Sequence, residues 1–147
     1  MKTGIELSDY RFFKPLHIRW NDLDPLGHVN NVLYIDYFQI GRGDYMAAAS
    51  KTWDWFQHMF VIANIHCDYW KEMRLGVKKP QIGVRVSKLG TKSFVIDYVI
   101  VSEGANREGI IHASGQSTQV TVDLKAGKSI DIPDWLRNEL QDYEPAL

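Results

Sequence analysis

The chain has 147 residues, of which 45% are hydrophobic, and a formal net charge of −1 at pH 7. This length suits one domain with a sizeable core, so we expect a single domain over residues 1–147 with its core at about 13–140. A charge so close to zero gives no reason to expect nucleic-acid binding. No apolar stretch approaches the roughly 20 residues that cross a bilayer, so no membrane partner is expected.

The N-terminal stretch and the cysteine content bear on the compartment. The stretch MKTGIELSDYRFFK carries acids and aromatics where a signal peptide would have a continuous apolar segment. The single cysteine, Cys67, excludes an internal disulfide framework and fits a reducing compartment. These features predict a soluble, cytoplasmic protein.

The first predicted elements are a strand and a long helix. The stretch PLHIRW (15–20) is rich in β-branched and aromatic residues and predicts a short strand. From Asn30 to about Ser50, apolar residues recur at helical spacing, which predicts a helix near 30 Å long at about 1.5 Å per residue. Because it is apolar over most of its circumference, we expect the helix to be buried.

Two glycines lie inside this predicted helix. Gly41 and Gly43 each cost about 1 kcal/mol of helix stability relative to alanine. Close packing of the helix against a sheet would explain their presence. The alternative is a break in the helix near residues 41–43.

The rest of the chain predicts strands and a final helix. The stretch IDIPDWLRNEL, with a proline near its start, predicts a short terminal helix. Short turn sequences separate the strands, which predicts an antiparallel meander. Four segments rich in β-branched residues form this meander, at 60–73, 81–90, 93–103 and 108–124. One long helix cannot bury itself, so we predict an α+β fold in which a curved antiparallel sheet wraps around it.

The stretch DLDPLGHVNN (22–31) concentrates polar groups directly before this helix. Asp24 and His28 flank a Pro-x-Gly turn, and Asn30 or Asn31 is a suitable helix cap. The free N–H groups and dipole of a helix N-terminus favour developing negative charge. A carboxylate, an imidazole and oriented N–H donors are the components of an acyl-transfer site, although a turn and a cap alone would also explain the stretch.

Other groups allow weaker interpretations. Asp22, Asp24 and His28 could ligate a metal, but no second ligand cluster accompanies them. Cys67 and His66 could form a nucleophilic pair, although neighbours on a strand point to opposite faces. Two lysines at an exposed hairpin, Lys88 and Lys92, could meet a phosphate.

The stretch RWNDLDPLGHVNNVLYIDYF (19–38) resembles the signature loop and helix start of the hotdog-fold acyl thioesterases, in the branch with the 4-hydroxybenzoyl-CoA thioesterases and acyl-CoA thioester hydrolases. Within it, DLD and HVNNVLYI (22–35) also look like the corresponding segment of the plant acyl-ACP thioesterases. The stretches VSKLGTKSFVIDYVI (86–100) and VTVDLKAGKSIDIPDWLRNEL (120–140) are similar to the family's hairpin and to its last strand and tail.

The resemblance implies a hotdog fold that assembles as a homodimer or homotetramer, with active sites at the dimer interface. It implies hydrolysis of an acyl-CoA, or of an acyl carrier protein thioester, without a metal or a separate cofactor, because coenzyme A belongs to the substrate. Enoyl-thioester hydratases or dehydratases and non-catalytic acyl-CoA binders are the alternatives within the fold.

The resemblance also assigns roles to residues. Asp24 matches the catalytic aspartate, which acts as nucleophile or general base, and the backbone N–H near Asn31 would hold the oxyanion. His28 matches a histidine of the acyl-ACP and long-chain acyl-CoA branches, and Glu72 matches a glutamate of the acyl-ACP branch. The hairpin residues that would contact CoA are Lys92 and Ser93.

The chain departs from both branches. The acyl-ACP branch has an asparagine at the position of Leu26, and its chains carry two hotdog units. The 4-hydroxybenzoyl branch has no counterpart of His28.

Overall fold

The structure is a computed structural model that describes residues 2–147. One five-stranded antiparallel sheet, in the order β1-β3-β4-β5-β2, packs against the long helix α1. Among residues 2–147, no helix combines the length and apolar character needed to cross a membrane. The elements in chain order are β1 (Phe12–Pro15), α1 (Leu33–Ala49), β2 (Met59–Tyr69), β3 (Lys78–Leu89), β4 (Ser93–Glu103), β5 (Gly109–Val122) and α2 (Asp134–Tyr143).

The core lies between α1 and the sheet, as the apolar pattern predicts. Phe38 of α1 stacks on Tyr98 of β4, with ring centroids 4.4 Å apart. On β3, Ile82, Val84 and Val86 are all buried in this core. The predicted α+β arrangement of a long central helix and an antiparallel sheet is therefore confirmed.

The helix is shorter than predicted but unbroken. It has 17 residues and begins at Leu33 instead of Asn30. Residues 30–32 form a turn before it, in which the carbonyl of Asn30 accepts from the Leu33 N–H at 2.9 Å. The side chain of Asn30 accepts from the Val32 N–H at 3.2 Å, so its polar oxygen stabilises the turn before the helix. The helix continues through Gly41 and Gly43, and a break there is excluded.

The strand predicted at 15–20 is wrong in position. The observed strand, β1, covers Phe12–Pro15, and the chain then forms a single 3-10 turn at Trp20–Asp22. The carboxylate of Asp22 accepts from the backbone N–H of Arg19 at 3.0 Å. This local bond competes with a strand ladder for the same donor, which is why a sequence with strand propensity bends here.

The four-strand meander is wrong for β2. β3, β4 and β5 pair consecutively, but β2 pairs with β5 at the opposite edge from β1. β2 ends at Tyr69 instead of residue 73, because the chain beyond it turns toward the 22–31 loop. There the carbonyl of Met73 accepts from the Val29 N–H at 2.8 Å. The segment 70–77 is therefore a connection to another strand position and not a hairpin.

Gly41 shows why one of the two helical glycines is required. A Cβ at this position would lie 2.9 Å from Ile82 Cδ1 and 3.0 Å from Val84 Cγ2. A Cβ at Gly43 would meet nothing within 4 Å. Close packing against the sheet is therefore confirmed for Gly41 and does not explain Gly43.

These environments predict opposite effects of the same substitution. We expect Gly43→Ala to raise the free energy of unfolding by about 0.5 to 1 kcal/mol through helix propensity. We expect Gly41→Ala to lower it by about 1 kcal/mol, because overpacking of a filled core outweighs the same gain. Urea denaturation of both variants measures the two values, and equal effects would contradict the packing argument.

Candidate active site

The loop before α1 is a small hairpin. Leu23 pairs with Val29 across it. The Asp24 N–H donates to the His28 carbonyl at 2.7 Å, and the Gly27 N–H donates to the Asp24 carbonyl at 3.0 Å. Gly27 has φ +80°, as expected for the glycine of a three-residue hairpin loop. The Pro-x-Gly turn thus places Asp24 and His28 opposite each other.

The carboxylate of Asp24 is oriented by this loop. Its Oδ1 accepts from the backbone N–H of Leu26 at 2.9 Å and from that of His28 at 3.1 Å. Its Oδ2 has no hydrogen-bond partner in residues 2–147. Because the first oxygen is fixed and the side chain is only half-buried, the second oxygen is available to a ligand.

Asp22 connects the loop to the helix. Its buried carboxylate accepts from Tyr37 Oη at 2.8 Å and from the Arg19 guanidinium at 2.8 Å. Its carbonyl accepts from the Asn30 N–H at 2.8 Å. Burial alone raises the pKa of Asp22, but the donors from Arg19 and Tyr37 outweigh it and hold the pKa below its usual value. These bonds occupy Asp22, which therefore acts as an anchor of the loop.

His28 is held by an arginine that sequence reasoning missed. Arg74 Nη2 lies 2.8 Å from His28 Nε2, and the guanidinium also lies against Gly27. Arginine can only donate, so Nε2 must accept and the ring proton lies on Nδ1. Arg74 is far from the loop in sequence and carried no motif that could have indicated this contact.

An open cleft of about 300 Å³ lies beside the loop. It brings together four of the predicted site residues from separate parts of the chain. Its lining consists of Asp24, His28, Val29, Asn31, Tyr34, Tyr69, Trp70, Lys71 and Glu72.

Glu72 faces this cleft from the segment after β2. Its side chain is exposed, and its own backbone N–H, followed by the nearby basic side chains of His28, Arg74 and Lys71, holds the pKa of this carboxyl below its usual value. Glu72 is therefore ionised at neutral pH. Two carboxylates, those of Asp24 and Glu72, thus line the same cleft.

Asn31 contributes backbone groups to the cleft. Its carbonyl accepts from Tyr69 Oη at 2.7 Å, and Tyr69 packs edge-on against Tyr34 of α1 with ring centroids 5.2 Å apart. Its N–H has no acceptor within residues 2–147. Because Tyr69 fixes the position of Asn31, its free N–H next to the helix N-terminus can stabilise negative charge on a bound ligand.

Lys92 and Ser93 lie elsewhere. They belong to the β3–β4 hairpin, where the Lys92 carbonyl accepts from the Thr121 N–H at 2.9 Å. Tyr69, which lines the cleft, pairs with Ala113 of β5, and Ala113 in turn pairs with Ile100 of β4. Ile100 is therefore the β4 residue level with the cleft. Seven residues of strand at about 3.3 Å each separate Ser93 from that level, or about 23 Å. The two hairpin residues therefore do not join the cleft of their own chain.

A Cys67–His66 nucleophilic pair is not supported by the geometry. These neighbours on β2 pair with different residues of β5, and they do not hydrogen-bond to each other. Burial raises the pKa of the Cys67 thiol to about 11. Within residues 2–147, no three His, Cys, Asp or Glu side chains cluster closely enough to hold a metal ion.

The fold is that of the hotdog thioesterases, in which an antiparallel sheet packs against a long central helix. A thioesterase from Thermus thermophilus, solved with coenzyme A and zinc, superimposes with a TM-score of 0.79 and 27% identity, covering 95% of this chain and 98% of that one. A mutant 4-hydroxybenzoyl-CoA thioesterase in complex with 4-hydroxybenzoyl-CoA has a TM-score of 0.77 at 11% identity, over 88% of this chain and 97% of that one, and supports the fold alone.

The chain belongs to the thioesterase-like superfamily, whose family model matches residues 18–140. It is 30% identical to the long-chain acyl-CoA thioesterase FadM of Escherichia coli over 132 residues, which are 86% of this chain and 94% of FadM. It is 28% identical to the uncharacterised protein YsmA of Bacillus subtilis over 127 residues, 86% of this chain and 83% of YsmA. Membership of this superfamily indicates a thioester hydrolase.

The raised pKa of Cys67 gives a test of its chemistry. We expect the thiol to react slowly with iodoacetamide at pH 7.5, and the rate to rise about tenfold per pH unit up to a pH of about 11, since only the thiolate reacts. Mass spectrometry of the labelled protein measures the rate. Rapid labelling at neutral pH, or loss of turnover in Cys67→Ser, would restore the cysteine as a candidate nucleophile.

Proposed function

We propose that this protein hydrolyses acyl-CoA thioesters to free CoA and a carboxylic acid, with Asp24 as the catalytic residue. The arrangement of Asp24 carries the proposal. One carboxylate oxygen is fixed by two backbone N–H groups, and the other is free beside a cleft that also contains the free N–H of Asn31. The similarity to FadM supports an acyl-CoA as the substrate class.

Two chemical routes fit this arrangement. As a nucleophile, the free oxygen of Asp24 attacks the thioester carbonyl, the C–S bond breaks, CoA leaves as its thiol after protonation, and water then hydrolyses the mixed anhydride. As a general base, the same oxygen removes a proton from the attacking water, and the C–S bond breaks from the tetrahedral intermediate. In both routes the carbonyl oxygen becomes negative and requires a donor.

Asn31 is the proposed donor to that oxygen. Its free N–H precedes α1, where the helix dipole adds to the stabilisation of negative charge. The proposed helpers are His28, held in one tautomer by Arg74, and the ionised Glu72. Both would orient water or assist proton transfer to and from the Asp24 side of the cleft.

We further propose that a second copy of the chain completes the site. The β2 strand lies at a sheet edge, and two copies paired antiparallel about a twofold axis would bring the Tyr69 end of one strand beside the Met59 end of the other. The partner's hairpin with Lys92 and Ser93 would then lie about three strand spacings away, or about 14 Å. This hairpin, too distant within one chain, would contact the CoA part of the substrate.

The substitution Asp24→Asn tests the catalytic assignment. We expect it to lower kcat by about 100-fold or more, because the amide can neither attack the carbonyl nor accept a proton. Release of free thiol from a panel of acyl-CoAs of varied chain length and aromaticity measures turnover. The matched control is Asp36→Asn, the same change on the exposed face of α1, which we expect to keep wild-type turnover.

The same assay separates the alternatives. A hydratase would consume the absorbance of a conjugated enoyl thioester without releasing thiol. A non-catalytic binder would bind acyl-CoA saturably and release no CoA on long incubation. Full turnover in Asp24→Asn would exclude the proposed role of this carboxylate.

Lys92→Ala tests the CoA contact. We expect KM for acyl-CoA to rise about fivefold with kcat unchanged, since an exposed ion pair contributes at most about 1 kcal/mol and acts equally on substrate and transition state. The control is Lys51→Ala, which removes another exposed lysine. Equal KM values for the two variants would remove Lys92 from the binding site.

Light scattering tests the proposed assembly. We expect a molar mass in solution of twice the 17.0 kDa of one chain or a multiple of it.

A further inference from the structure

A buried serine–histidine pair lies behind the candidate site. Ser102 of β4 is 4% exposed and His112 of β5 is 2% exposed. Ser102 Oγ lies 2.7 Å from His112 Nε2. The proposed reaction uses neither side chain, and neither belongs to the cleft that contains Asp24.

The Nδ1 side of the His112 ring contacts the backbone of Lys71 and Glu72. Nδ1 lies 3.2 Å from the carbonyl oxygen of Lys71 and 3.2 Å from that of Glu72. Carbonyls only accept, so Nδ1 carries the proton and donates to both. Burial lowers the pKa of His112, which keeps the ring neutral, so Nε2 accepts from the Ser102 hydroxyl.

The backbone of His112 holds the same segment. Its carbonyl accepts from the N–H of Trp70 at 2.9 Å and from that of Lys71 at 3.2 Å. The β2–β5 ladder has ended one residue earlier, at the pair Tyr69–Ala113. The His112 carbonyl therefore binds the first two residues after β2, and the His112 ring binds the carbonyls of Lys71 and Glu72 that follow.

The position of Glu72 depends on these backbone contacts because its side chain has few contacts of its own. Its side chain is exposed and lies on a ridge shared by the cleft with Asp24 and a second cleft of about 460 Å³, whose lining includes Ser102 and His112. The contact that lowers the pKa of its carboxyl most is with its own backbone N–H. The position of the carboxylate therefore follows the position of its backbone.

We propose that the Ser102–His112 pair is a positioning device that holds the Glu72 carboxylate in place in the cleft that contains Asp24. The inference rests on the proposed hydrolase activity and assigns a function to two residues far from the catalytic loop in sequence. Ser102 orients the ring, the ring holds the carbonyls of Lys71 and Glu72, and the carboxylate is thereby presented to the reacting water or thioester.

Two substitutions at His112 separate the two bonds of its ring. In Asn, the side-chain amide nitrogen can occupy the place of Nδ1 and still donate to the two carbonyls. In Gln, the terminal amide reaches the place of Nε2 and preserves only the bond to Ser102. We expect His112→Gln to lower kcat by about 10- to 100-fold with little change in KM, because misplacement of a reacting group acts on the transition state. We expect His112→Asn to retain kcat within about threefold.

A double-mutant cycle distinguishes positioning from general loss of structure. If His112 acts through Glu72, then His112→Gln lowers kcat in the wild-type background and has no further effect in a Glu72→Gln background. Effects that multiply in the double variant would overturn the proposal. So would equal losses in His112→Asn and His112→Gln.

Ser102→Ala keeps the proposal testable if His112→Gln fails to fold. We expect a loss of kcat of about two- to threefold that again disappears in the Glu72→Gln background. The matched control is Ser87→Ala, which removes a hydroxyl that donates to Asp97 on β4 at 2.9 Å and should leave kcat unchanged. Full turnover in Glu72→Gln overturns the positioning proposal alone, whereas full turnover in Asp24→Asn overturns the proposed function.

Discussion

Burial of α1 against the sheet is the constraint on which the rest of the structure depends. The helix approaches closely because Gly41 leaves room for Ile82 and Val84 and because Phe38 stacks flat on Tyr98. Contacts of this kind supply most of the stability of a helix within a protein. They also fix the position of the helix relative to the sheet, and therefore where its N-terminal dipole and free N–H groups meet the cleft.

The 22–31 loop is coupled to the helix through one buried carboxylate. Asp22 accepts from Tyr37 on α1 and from Arg19 before the loop, while its carbonyl accepts from Asn30 after it. From the sequence alone, Asp22 is also a candidate functional acid, because it lies two positions before Asp24. The division of work between the two aspartates follows from their partners: Asp22 is fully engaged, and Asp24 has one oxygen free.

The position of β2 decides how the site is assembled. Because β2 pairs with β5 instead of β3, the chain must cross after Tyr69 from the β2 edge of the sheet to β3, which lies next to the edge strand β1. The crossing segment passes the loop, so that Arg74 meets His28 and Glu72 faces the cleft. The same crossing places the His112 ring under the backbone of Glu72, which connects the sheet to the site.

The sequence by itself determined the α+β class, the long helix, most strand positions and the Asp24–His28 loop, because periodicity, turn residues and a short motif act over a few neighbouring residues. It placed the helix start three residues early and the first strand too late, since side-chain bonds from Asn30 and Asp22 compete with regular structure there. Only the tertiary structure decided the edge position of β2, the contacts of Arg74 and His112, and the separation of Lys92 from its own cleft. Those features depend on pairing between residues distant in the chain, which no local pattern encodes.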